Sequence, residues 1–263
     1  MRVRRIWAVV LRQLYLYRRS LPRLLEVFYW PMVDLLLWGF VSLYLQRASA
    51  DIPSFVIYFL GALILWDILF RAQQGISVSF LEDMWARNLI NIFASPLKIG
   101  EYILGLVFIS ILKVCIAFLV MSTLAWLFYS FSIFKLGIAL IPLVLNLMAM
   151  GWAVGIFTMA LILRFGQEAE VLAWAVAFLF MPFSAVFYPV STLPLLLQRI
   201  AYLIPSAHVF EGMRILINDK TLSLAHLSAA TLLNLLFLSA STIFFIRIYQ
   251  LVKKKGILPK IGE

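Results

Sequence analysis

Residues 189–214 read PVSTLPLLLQRIAYLIPSAHVFEGMR. The stretch is apolar enough to enter a bilayer. Yet Pro189, Pro194 and Pro205 interrupt it, and it ends in His208, Glu211 and Arg214. An interior proline removes a backbone hydrogen bond and clashes with the turn before it, so one continuous helix is excluded. The pattern predicts two short helices, about 193–203 and 206–218, with Ser206 capping the second. His208, Glu211 and Arg214 then form a polar stripe on that second helix. Irregular backbone at membrane depth is tolerated only where protein or a water-filled cavity surrounds it. The expectation is therefore a hairpin that dips into one leaflet and returns; a loosely folded outer loop is the alternative.

The rest of the chain is greasier still. Of 263 residues, 64% are hydrophobic and 13% charged, against about 25% charged in a soluble domain. This composition belongs to an all-α polytopic membrane protein and excludes soluble enzymes. The net charge of +10 is concentrated at the two ends. Arg2, Arg4, Arg5, Arg12, Arg18, Arg19 and Arg23 lie in the first 25 residues, and Arg247, Lys253, Lys254, Lys255 and Lys260 in the last 17. Both clusters flank apolar segments, which points to anionic lipid headgroups rather than nucleic acid. Cys115 is the single cysteine, so an internal disulfide or thiolate metal cluster is excluded. The arginine-laden start lacks the apolar core of a signal peptide.

Arg5, Arg12 and Arg19 repeat every seven residues, and Trp7, Leu14 and Leu21 repeat likewise two positions later. Those stripes fall on nearly opposite faces of a helix. Residues 1–25 are thus expected to form a basic amphipathic helix lying in the membrane surface, with Pro22 ending or kinking it. Six apolar segments come after it, at 27–45, 54–70, 102–129, 133–163, 171–188 and 227–249. With both termini inside, 16 basic residues fall in the inner regions and five in the outer loops, which supports a cytoplasmic N-terminus. Residues 189–226 then lie outside, and 250–263 form a basic cytoplasmic tail.

The inner loop between the second and third segments reads SFLEDMWARNLINIFASPLKIGEY, residues 79–102. Ser79 and Glu82 match a capping box, and Glu82 and Asp83 suit the first turn of a helix. Trp85, Leu89 and Phe93 come next at helical spacing, with Arg87 on the polar side, and Pro96 stops the run. The expectation is a short amphipathic helix over 82–96. It is either a plain interfacial connector or a docking helix for a cytoplasmic partner.

Catalytic motifs are missing. There is no P-loop sequence, no H-E-x-x-H and no G-x-S-x-G. Two histidines, His208 and His226, cannot build a histidine-rich metal site. Three ionisable residues fall within the apolar segments: Asp34, Asp67 and Lys113. Charges at such depth face the bundle interior or pair. Lys113 is expected to pair with Asp67 or Asp34, either as a brace or as the polar lining of a path.

Together these features resemble the membrane subunit of ABC-2 type ATP-binding cassette exporters. The resemblance rests on the basic first helix, the segment 82–96, FYPVSTLP at 187–194 and PSAHVFEGMR at 205–214. It implies an interface helix at the N-terminus and a coupling helix at 82–96, with Glu82, Asp83, Trp85, Arg87, Leu89 and Phe93 facing a nucleotide-binding subunit. It also implies a re-entrant outer hairpin acting as a gate, and two copies of this chain, or this chain and a related one, around a central path. ATP and magnesium would be bound by the separate ATPase subunits, and this chain would hold no cofactor and no ATPase site. The location implied is the bacterial cytoplasmic membrane. Two other classes stand beside it: an ion-coupled secondary transporter using Asp34, Asp67 and Lys113, and a membrane-embedded lipid-modifying enzyme.

Overall fold

The computed structural model describes residues 2–48 and 55–255. The end of the basic tail, with Lys260, lies outside the described residues. Among the described residues ten α-helices succeed one another, and there is no strand. They are α1 (Val3–Arg18), α2 (Leu21–Ala48), α3 (Phe55–Trp85), α4 (Leu89–Ala94) and α5 (Ile99–Tyr129). Then come α6 (Leu140–Phe165), α7 (Leu172–Phe180), α8 (Leu195–Ala201), α9 (Pro205–Asp219) and α10 (Leu224–Lys254).

The organising element is α3. From Leu60 to Met84 every residue except Phe70 is buried, so helices enclose it on all sides. Its neighbours come close because small residues let them. A Cβ on Gly151 of α6 would lie 2.5 Å from the Leu69 carbonyl oxygen, and one on Gly75 would lie 2.5 Å from Ser110 of α5. Without a hydrophobic drive between helices in lipid, close backbone approach of this kind supplies the packing. The enclosure also explains why α3 tolerates Asp67, Arg71, Gln73, Gln74, Glu82 and Asp83, all buried: their partners are protein groups, not lipid.

Among the described residues, four helices are long and apolar enough to cross a membrane by themselves: α2, α5, α6 with the turn before it, and α10. The bent pair α8 and α9, meeting at 97°, is a further candidate. The 31-residue α3 is long enough to cross, with its apolar half first and its polar residues gathered toward Trp85, but it is not one of these four. The expected span at 171–188 is not one helix. Only Leu172–Phe180 is helical, nine residues, or about 13.5 Å at 1.5 Å per residue. Pro182 and the left-handed Ala185 (φ 51°) keep the chain beyond it from continuing as a helix. Even so, this segment runs beside α3 for most of its length. Trp85 Nε1 donates to Glu170 at 3.1 Å, Phe70 meets Phe178 at 5.0 Å, and Phe59 stacks on Phe187 at 4.6 Å.

Other boundaries also moved. The first helix ends at Arg18, and residues 21–25 belong to α2, with Pro22 at its opening turn rather than at the end of the surface helix. The segment expected at 133–163 is broken at Gly137, whose φ of 63° suits glycine. Ser79 does not start a helix: α3 runs straight through it to Trp85. The expected helix over 82–96 is divided by Arg87 (φ 51°), leaving the six-residue α4. The stretch 189–214 divides as its prolines dictate. Pro194 precedes α8 and Pro205 is the first residue of α9, where a missing N–H does no harm.

Candidate functional site

The end of the bundle that carries α1 and the close of α3 is held by charges from four helices. α1 exposes Val3, Trp7, Leu11 and Tyr15, a stripe suited to lipid. Arg5 and Arg12 turn the other way, while Arg4 and Arg18 stay exposed. Arg12 pairs with Asp83, and Arg5 meets Glu101 at 3.5 Å. The Arg2 amide donates to the same Glu101 carboxylate at 2.8 Å. Asp83 also accepts from the Tyr102 hydroxyl of α5 at 2.7 Å. Arg23, at the start of α2, pairs with Glu82 at 3.0 Å. The last turn of α3 therefore ties α1, α2 and α5 together.

The electrostatics keep Arg12 charged. Burial lowers the pKa of the Arg12 guanidinium, but the hydrogen bond and charge of Asp83 outweigh it and hold it above the usual range. Burial, helped by the charges of Glu82 and Glu26, pushes the Tyr17 hydroxyl well above the usual phenol range. Tyr17 stays neutral and offers its ring face to Lys113, whose Nζ lies 4.6 Å from the ring centroid.

Next to the knot, α1 and α4 border a cavity of about 320 Å³ lined by Arg5, Val9, Arg12, Asn91, Pro96 and Tyr102, among others. Trp85, Arg87, Ile90 and Asn91 are exposed, and of these Asn91 lines the cavity. Leu89 is buried and Phe93 half-buried; Phe93 packs edge-on against Tyr102 and Tyr249. Of the six residues expected to face a partner, Trp85 and Arg87 are on the surface. Glu82 and Asp83 are consumed by Arg23 and Arg12 instead, because they end α3 inside the bundle rather than starting a surface helix.

Deeper in the bundle the expected pairing of Lys113 with Asp67 or Asp34 is replaced by another. Arg71 Nε pairs with Asp67 Oδ1 at 3.2 Å, and Arg71 donates to Gln74 at 3.1 Å. Lys113 Nζ donates to Ser79 Oγ at 3.1 Å. Arg71 lies just past the apolar segment expected at 54–70, yet its i,i+4 spacing from Asp67 is a usable helix-pair signal. Gln73 and Ser77 both donate to the Ala173 carbonyl, at 2.9 and 3.2 Å, and fasten α7 to α3. Asp34 is exposed on α2.

At the opposite end the polar stripe of α9 divides in two. Glu211 accepts from the Val190 amide at 2.6 Å. Arg214 donates to the Ala185 carbonyl at 2.7 Å and to Glu211 at 3.2 Å. The two together clamp the loop at 185–190, including the strained Ala185. His208 does not join them. Its Nε2 lies 2.9 Å from the Tyr202 carbonyl and its Nδ1 3.2 Å from Nδ1 of His226 on α10. The carbonyl fixes a proton on His208 Nε2, so His226 is the donor when both rings are neutral. Ser206 does not cap α9; its hydroxyl pairs with that of Ser184 at 2.6 Å. Among the described residues no group of three or more His, Cys, Asp and Glu side chains is placed to hold a metal ion.

A family model described as ABC-2 type transporter matches residues 4–218, from the start of α1 to the end of α9. No curated protein matches the chain.

Proposed function

Since the chain belongs to the ABC-2 type transporter family, we propose that it is the membrane-spanning permease subunit of an exporter driven by a separate nucleotide-binding subunit. That subunit binds ATP and magnesium and performs the phosphoryl chemistry. The permease moves an amphiphilic substrate (a drug, glycolipid or polysaccharide-like molecule) outward across the bacterial cytoplasmic membrane. Both termini are cytoplasmic, and the chain crosses six times, the irregular stretch 170–187 beside α3 serving as the fifth crossing. Two copies, or this chain and a related one, enclose the path. The hairpin of Pro189, Pro194 and Pro205 is re-entrant and forms part of the outer gate.

The observation that carries this reading is the position of Asp83. It accepts from Arg12 of α1 and Tyr102 of α5 at the end of the buried helix α3. The exposed turn at Trp85 and Arg87 begins two residues later. A push on the rim formed by that turn and α4 reaches the core of the bundle through α3 without passing a flexible joint. The rim and the cavity beside it are the docking surface for the nucleotide-binding subunit. The ion-coupled alternative needs Asp34, Asp67 and Lys113 to act together; Asp67 is held by Arg71 and Lys113 by Ser79, which leaves Asp34 alone and disfavours it.

The test is reconstitution with the cognate P-loop ATPase in proteoliposomes. ATP-dependent efflux that Asp83→Asn abolishes while hydrolysis continues supports the reading. Transport that survives ATP depletion rejects it.

A further inference from the structure

Asp34 is halfway along the 28-residue α2. It is exposed, although a carboxylate facing lipid at that depth is strongly unfavourable. Its neighbours in the same layer are partnered: Asp67 has Arg71, and Arg71 also has Gln74. Asp34 feels the charges of Arg71 and Asp67 through space but joins no ion pair among the described residues. Two carboxylates thus share one guanidinium between α2 and α3, and Asp34 is the one it does not pair with.

The surroundings are aromatic. Trp38, one helical turn beyond Asp34, meets Phe59 at 5.7 Å, and Phe59 stacks on Phe187. Phe70 and the exposed Phe178 pair at 5.0 Å beside Arg71. Ring faces and a carboxylate both attract a desolvated cation. A neutral sugar would find few hydrogen-bonding partners here, and a polyanion would be repelled.

We infer that Asp34, with Trp38 one turn away on α2 and Phe59 and Phe178 on the elements beside it, binds a cationic amphiphile, a lipophilic body carrying an ammonium, guanidinium or onium group. The inference rests on the permease reading and narrows its substrate class. The cation neutralises the layer, and the aromatic rings receive the apolar body as it passes between α2 and α7.

The test uses the permease with its ATPase subunit in nanodiscs of neutral phosphatidylcholine, so that lipid charge does not contribute. The probes are tetraphenylphosphonium and tetraphenylborate, which share a shape and differ in sign. The wild-type complex is expected to bind the phosphonium in preference. Asp34→Asn should weaken that binding on the order of 30-fold, the effect of removing one partner of a desolvated charge pair. Asp34→Glu should restore most of it, and tetraphenylborate should bind Asp34→Asn no more weakly than wild type. Equal phosphonium binding by wild type and Asp34→Asn overturns the inference. So does dissociation of Asp34→Asn into single permease chains, which assigns Asp34 to a contact between copies. Failure of the ATPase to co-purify with the wild-type chain sinks the permease reading instead, whatever the phosphonium does.

Discussion

The two ends of the bundle use the same chemistry, arginine and carboxylate, in opposite ways. At the α1 end, Arg5, Arg12 and Arg23 reach carboxylates on other helices, far along the chain. At the hairpin end, Glu211 and Arg214 are three residues apart and grip the backbone of one loop. The first arrangement joins elements that move as a unit; the second fixes the shape of a segment that has little regular structure of its own. The difference teaches where force enters and where it is resisted. A load on the exposed turn after α3 is shared by four helices, whereas the hairpin holds its form without help from that end.

Four substitutions test this contrast. Asp83→Ala has the largest expected effect, about 3 kcal/mol of stability, because Arg12 and Tyr102 lose their shared partner inside the bundle. Equilibrium unfolding in detergent micelles measures it, and the loss should be accompanied by proteolytic exposure of α1. If α1 stays protected, the knot does not hold it. Arg214→Ala should cost about 2 kcal/mol, by leaving the 185–186 carbonyls and Glu211 underbonded. Hydrogen exchange should then quicken at 186–190 and remain unchanged in α1. Spread of the change to α1 would erase the distinction between the ends.

His226→Ala removes the donor to His208 and should cost about 1 kcal/mol, loosening α9 from α10 without altering the loop clamp. Fluorescence from a label at Lys220 would report the loosening. Arg23→Ala is the smallest, about 0.5 kcal/mol, since the arginine side chain is 30% exposed and screened. A thermal shift as large as that of Asp83→Ala would mean that Arg23, not Arg12, is the principal tie.

Much of this was legible in the sequence, for physical reasons that differ by element. The prolines at 189, 194 and 205 forced the stretch 189–214 to divide into α8 and α9, because proline constrains its own backbone whatever surrounds it. The long apolar runs of α2, α5, α6 and α10 announced themselves by composition. The features that stayed hidden depended on enclosure. Ser79 and Glu82 look like a helix start, but a capping box is a local signal, and α3 is sheathed by α5 and α6 so that its polar residues have partners inside the protein. The arginine stripe of α1 read as a lipid-facing band for the same reason. Spacing shows that Arg5 and Arg12 share a face; it does not show that Asp83 and Glu101 wait opposite. The pairing of Asp67 with Arg71 was visible at i,i+4, once Arg71 is allowed inside the helix. Lys113 was misassigned because a donor to a serine leaves no charge pattern.

The most direct test of the account is site-specific cross-linking in the assembled transporter. A photoreactive residue at Asn91, on the α4 rim, is compared with one at Asn218, at the end of α9, in the presence of the cognate nucleotide-binding subunit. The account predicts a cross-link to that subunit from position 91, varying with ATP, and none from position 218. A cross-link from 218 alone, or an equal yield from both, would contradict it.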